Sequence, residues 1–199
     1  MNIPIILASA SPVRARLLMQ AGVPFEVDVP RLDESSIKKS LLSEGQSPRN
    51  IADALAEMKA LRVGQRNPDR IVLGADQILV CDGRIYSKPN DRTEARSQLE
   101  ALSGKTHQLL TAAIVVEEAR PVWRTVETVS LQMRNLSATL IEDYLDLVWP
   151  DIAGCVGCYK LEAEGVRLFA RITGDHYAGL GLPIHPVLSY LATRGIVPI

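Results

Sequence analysis

Apolar residues recur along the chain at two spacings, and these spacings mark out its elements. Ile5 to Ala8 is a continuous apolar run of strand length. Ser9-Ala-Ser-Pro12 then supplies a capping hydroxyl and a helix-starting proline, and Val13, Leu17, Leu18 and Ala21 continue at helical spacing until Gly22 stops the helix. Ser47-Pro48 opens a second helix with Ile51, Leu55 and Met58 as its buried stripe and Lys59 at the margin. Ile71 to Val80 predicts an apolar strand, closed by the hairpin-turn dipeptide Asp82-Gly83 and answered by Ile85-Tyr86. Asp91-Arg-Thr-Glu94 predicts a capped helix through Leu99 and Leu102, ended by Ser103-Gly104.

Two long strand signals follow, Gln108 to Val116 and Val122 to Met133, joined by a turn around Ala119-Arg-Pro121 and therefore antiparallel. Ser137 caps a helix built on Leu140, Ile141, Tyr144, Leu145 and Val148, which Pro150 terminates. After a glycine-rich stretch, Val166 to Ile172 predicts a last strand and Pro186 to Arg194 a last helix. Helices and strands interleave without strict alternation, which predicts an α/β fold with a mixed central sheet and flanking helices.

Composition narrows the class. At about 150 residues per domain, 199 residues predict one domain. Hydrophobic residues at 47% and charged residues at 23% exclude a disordered or fibrous chain. Lys and Arg number 22 against 23 Asp and Glu, with no run of five like charges, so a nucleic-acid arm or an acidic tail is not expected. The longest apolar run, Leu109 to Val116, is interrupted by Thr111 and is too short to cross a membrane. Ala8-Ser-Ala10 imitates a signal cleavage site, but no basic residue precedes it and Ile3 to Leu7 is too short, so the start reads as a strand. Three cysteines cannot form a paired framework, which points to a reducing, cytoplasmic compartment.

Several residues could carry chemistry. Ser9-Ala-Ser11-Pro-Val-Arg14 brings two hydroxyls, helix-start N–H groups and a guanidinium within six residues, which suits a phosphate and equally makes an ordinary capped helix. Asp76 interrupts the apolar strand, where a buried carboxylate costs several kcal/mol unless something compensates it. Gly74-Ala75 beside it is read as leaving space. Asp33-Glu34 is either a helix cap or a carboxylate pair that helps to hold Mg²⁺. Lys59 and Lys88 carry no signal individually. Cys155-Val-Gly-Cys158 has the C-x-x-C spacing, but no second ligand pair lies near it, and it neither follows a strand nor opens a helix, which argues against zinc and thioredoxin-like chemistry. His107 and His176 lie in polar segments and are expected at the surface.

Taken in order, Leu7-Ala-Ser-Ala-Ser-Pro12 with Arg14, Asp33-Glu34, Lys59-Ala60, Gly74-Ala-Asp76, Lys88-Pro89, Leu102-Ser-Gly104 with His107, and Gly181-Leu-Pro183 resemble the Maf family of nucleoside triphosphate pyrophosphatases. The resemblance implies a single domain over residues 1–199, with room for two lobes around one cleft, in a fold related to inosine triphosphate pyrophosphatases. It further implies a homodimer, a divalent metal (Mg²⁺ or Mn²⁺) as cofactor, and a nucleoside triphosphate as the partner molecule, cleaved to monophosphate and pyrophosphate. By the same resemblance Asp76 is the catalytic carboxylate, Ser9, Arg14, Lys59 and Lys88 line the phosphates, and Glu34 with Asp76 meets the metal.

The base-selecting positions depart from the family's pyrimidine-type pattern, having Val13, Gln77 and Glu162. Gln77 and Glu162 resemble the branch acting on 7-methylguanosine triphosphate, although that branch has tryptophan where Val13 stands. Glu162 can accept two hydrogen bonds from a guanine edge and would suit a cationic base, or it is a solvated charge in Lys160-Leu-Glu-Ala-Glu164. Two competing readings stand beside this one: a non-catalytic nucleotide-binding regulator linked to septum formation, and a dTTP/UTP-type pyrophosphatase. A thiol redox protein using Cys155 and Cys158 is a further class.

Overall fold

The computed structural model describes residues 4–198. Ile3, counted above with the apolar start, lies outside them. The elements in chain order are β1 (Ile5–Ala8), α1 (Pro12–Gln20), β2 (Phe25–Val27), α2 (Glu34–Ser43), α3 (Pro48–Gly64), β3 (Val72–Cys81), β4 (Arg84–Tyr86), α4 (Arg92–Leu102), β5 (Thr106–Glu117), β6 (Arg120–Met133), α5 (Ala138–Val148), β7 (Phe169–Thr173), α6 (His176–Gly179) and α7 (Ile184–Thr193). The seven strands form one mixed sheet in the order β2-β1-β3-β5-β6-β7, with β4 paired to β3. β1 runs parallel to both β2 and β3, whereas β4 and β7 pair antiparallel with β3 and β6.

The expected α/β architecture is therefore observed, with local differences that have physical causes. The hairpin joining β5 to β6 turns at Glu118 and Ala119, both with positive φ, so Arg120 and Pro121 already belong to β6. Val166 is not in a strand: Glu164–Leu168 forms 3₁₀ turns, because Gly165 lies so close to Lys160 that a Cβ would meet its backbone nitrogen at 2.7 Å. Helices α2 and α6 and strand β2 have no counterpart in the apolar spacing, since α2 buries none of its residues and the other two are very short.

The chain forms two compact units. The first comprises the described residues through Gln77, Thr111–Glu127 and the residues from Asp175 onward. Its core gathers Ile5 and Leu7 of β1, Leu17 and Leu18 of α1, Leu73 and Ala75 of β3, Ala113 and Val115 of β5, and Val187 and Leu191 of α7. The second comprises Ile78–Leu110 and Thr128–Gly174, where α4 packs against α5 and the turn at Val156–Cys158.

Candidate functional site

In the first unit, the C-terminal end of β1, the middle of β3 and the N-terminal end of α1 carry a connected set of polar side chains. Ser11 caps α1 by accepting from the Arg14 amide at 3.4 Å, and Pro12 takes a position whose N–H would have no partner. Capping directs Arg14 into the protein rather than outward, as a surface arginine would be. Its Nε donates to the Gly181 carbonyl at 2.7 Å, and its Nη1 donates to Ser9 Oγ at 3.1 Å and the Ala75 carbonyl at 2.9 Å. Burial lowers the Arg14 pKa, opposed by the nearby charges of Asp76 and Glu34. Nη2 is the nitrogen that these bonds do not use.

Asp76 lies on β3 at 6% exposure, and its compensating charge is Lys59, also 6% exposed. Lys59 Nζ donates to Asp76 Oδ1 at 2.6 Å and sits 3.0 Å from Glu34 Oε1. Lys59 is thus not at the margin of α3. The buried face is Ile51, Ala52, Leu55, Ala56, Lys59, Ala60, Val63 and Gly64, while Met58 is turned outward at 38% exposure. Ile51, Leu55 and Lys59 are each four residues apart, and small alanines flank them, which is the signal that places Lys59 inward. The space beside Gly74 is not left open either. A Cβ there would meet the nitrogen and Cβ of Ala60 at 2.8 Å, so the glycine lets α3 lie against β3 and bring Lys59 to Asp76.

Asp33 takes the cap reading, accepting from Ser36 N at 3.0 Å and Ser36 Oγ at 2.7 Å; these bonds lower its pKa. Glu34, in the first turn of α2, has a side chain 46% exposed and reaches Lys59. Asp76 and Glu34 therefore converge on one cationic point. Carboxylate oxygens are the hard donors that Mg²⁺ or Mn²⁺ takes, and Mg²⁺ is commonly held by one or two carboxylates together with substrate phosphates. Among the described residues no group of three or more His, Cys, Asp and Glu could hold a metal by itself.

Gln77 follows Asp76 and is half-buried. Its Nε2 reaches Thr111 Oγ1 at 2.9 Å and the carbonyls of Ala178 and Gly179 at 3.0 and 3.2 Å. Val13 is half-buried and packs against the core of the first unit.

Lys88 and Glu162 are exposed residues of the second unit. Burial raises the Cys155 thiol pKa, and the charges of Lys160, Glu162 and Lys88 also bear on it. Cys155 and Cys158 are free, Cys158 donates to Gln98 Oε1 at 3.4 Å, and burial pushes its thiol up to about 12. Such thiols are poor nucleophiles. His107 corrects its surface expectation: it is 1% exposed, 2.8 Å from the Tyr159 hydroxyl through Nε2 and flanked by Phe169, and burial lowers its pKa to about 4. Its alternation with Leu109 on β5 is the signal for that burial.

A mixed α/β sheet with a buried carboxylate–ammonium pair beside a capped helix start defines an α/β protein with a buried polar site in its first unit. The chain belongs to the Maf-like protein family, which it matches over residues 4–194. It is 50% identical over 197 residues to a nucleoside triphosphate pyrophosphatase of Ruegeria pomeroyi, covering 99% of each chain. A nucleoside triphosphate pyrophosphatase of Roseobacter denitrificans is 50% identical over 195 residues, 98% of each chain. Nucleoside triphosphate pyrophosphatase 1 of a Jannaschia species is 50% identical over 193 residues, 97% of this chain and 98% of the relative.

Proposed function

We propose that the protein hydrolyses a nucleoside triphosphate to the monophosphate and pyrophosphate, with Asp76 as the catalytic carboxylate. The observation that carries this reading is the buried Asp76–Lys59 pair, reached by the half-exposed Glu34, beside the Arg14–Ser9 junction. The reaction forms a bond from water oxygen to the α-phosphorus and breaks the bond to the bridging oxygen of the leaving pyrophosphate. Asp76 takes the water proton on Oδ2, the oxygen its pairing with Lys59 does not use. Lys59 balances that carboxylate and fixes its orientation. Arg14, through Nη2, and Ser9 face phosphate oxygens, and charge building on the leaving group falls to Arg14. A divalent cation held by Asp76 and Glu34 would supply charge neutralisation.

Within this activity, we assign the base to a guanine-type edge, 7-methylguanine included, because Glu162 offers two acceptors where the edge offers two donors. Purified protein assayed against canonical and modified nucleoside triphosphates with Mg²⁺ or Mn²⁺ tests the reading. Pyrophosphate is the expected product; release of single phosphate would make the protein a phosphatase instead.

A further inference from the structure

Thr111 is the one polar residue within the apolar run of β5, fully buried between Leu110 and Ala112. A hydroxyl there costs desolvation unless it is bonded, and valine has the same shape. Thr111 Oγ1 is bonded on both sides, donating to the Ala178 carbonyl at 2.8 Å and accepting from Gln77 Nε2 at 2.9 Å. Gln77 Nε2 also reaches the Ala178 and Gly179 carbonyls, the last two of the one-turn helix α6. The Ala178 carbonyl also accepts from the Gly181 amide at 3.0 Å, so the two side chains hold the same turn that carries Gly181. Gly181 adopts a φ of +103°, open to glycine, and its carbonyl accepts from Arg14 Nε.

We propose that Thr111 and Gln77 are positioning residues that grip Ala178 and Gly179 and thereby hold the Gly181 carbonyl against Arg14, fixing the guanidinium for phosphate. The inference rests on the reading that Arg14 meets phosphate. It gives Gln77 a role independent of the base: the amide holds the segment behind Arg14, and any nucleotide with the same triphosphate feels it equally. Thr111→Val removes the donor to Ala178 and the acceptor for Gln77 while keeping volume, so the Gly181 carbonyl, one of the three acceptors of Arg14, is held less firmly. Thr111→Ser keeps the hydroxyl.

The test combines steady-state kinetics on the triphosphates of the screen with calorimetric binding of inorganic pyrophosphate in Mg²⁺. Thr111→Val should raise KM for every triphosphate about tenfold, the scale of one hydrogen bond to a charged group, with kcat within about threefold of wild type and the base ranking unchanged. Pyrophosphate Kd should rise in parallel, and Thr111→Ser should restore both. Should Thr111→Val not fold, Gln77→Met, which removes the amide from the same grip, is expected to give the same uniform KM rise. A lowered Tm with unchanged KM and Kd would reduce the pair to a structural tie, and a reordered base ranking in Gln77→Met would make Gln77 a base reader; either overturns the proposal. A wild-type protein that binds pyrophosphate but hydrolyses no triphosphate would strike the hydrolase reading alone, because the pyrophosphate arm still decides on the grip. Binding of pyrophosphate unaffected by Thr111→Val would strike the grip alone.

Discussion

Lys59 and Asp76 show how far one residue's environment can outrun its chemistry. A lysine is most often a surface residue, yet here the ammonium is buried 2.6 Å from a buried carboxylate, and each makes the other tolerable. Lys59→Met should cost about 3–5 kcal/mol in urea unfolding, because it leaves Asp76 buried without its partner. Glu34→Gln, acting on a half-exposed partner, should cost about 1 kcal/mol or less. His107 supplies the pH dependence. The unfolded imidazole binds a proton near its ordinary value of 6.5, the folded one only at about 4, so protons favour the unfolded chain and stability falls as pH drops from 6.5 towards 4. At most about 3 kcal/mol is lost this way. His107→Gln should flatten the slope of unfolding free energy against pH across that window, and an unchanged slope would assign the acid sensitivity to other groups. For Glu162→Gln, the amide puts a donor against a base donor, so kcat/KM for guanine-type substrates should fall roughly tenfold to a hundredfold relative to uracil or thymine substrates. An unchanged ratio between the two classes would make Glu162 a solvated charge.

At the scale of elements, what the sequence made legible was whatever repeats its own signal locally. The cap and proline of α1, the apolar run of β3 with its Asp82-Gly83 turn, and the stripe of α5 all follow from neighbours in the chain. Helix α2 was legible only as a cap alternative at Asp33, because it buries no residue, and the turn between β5 and β6 was read slightly late, around Ala119 to Pro121, because neither Glu118 nor Ala119 is the Gly, Asn or Asp that such a turn favours. Of the candidate site, Asp76 and the Ser9–Arg14 junction were readable as an anomaly and a cap, whereas the pairing of Lys59 with Asp76 and the grip of Thr111 depend on contacts between distant residues. Gly74 is the joint that makes the first of these possible. Gly74→Ala forces β3 and α3 apart, which should cost about 1–3 kcal/mol and lower Tm by roughly 2–4 °C per kcal/mol. Because the Ala56 carbonyl and Ala60 are struck and Lys59 lies on the helix between them, kcat should fall as well; wild-type turnover in this variant would mean that the approach of α3 does not set the pair.

For the molecule as a whole, a formal net charge of −1 gives a triphosphate no general attraction, so affinity must be built locally. No helix among the described residues is long and apolar enough to cross a membrane. In the first unit Arg14 and Lys59 are matched in charge by Asp76 and Glu34, so the set presents no net positive charge to a triphosphate. The central claim is that Asp76 performs the reaction, and kcat for pyrophosphate release by Asp76→Asn at saturating triphosphate tests it most directly. Asparagine keeps an oxygen for Lys59 to donate to, so the variant should retain wild-type circular dichroism while kcat falls at least about 10²- to 10⁴-fold, the contribution of a general base. A folded Asp76→Asn protein releasing pyrophosphate at the wild-type rate would contradict the account.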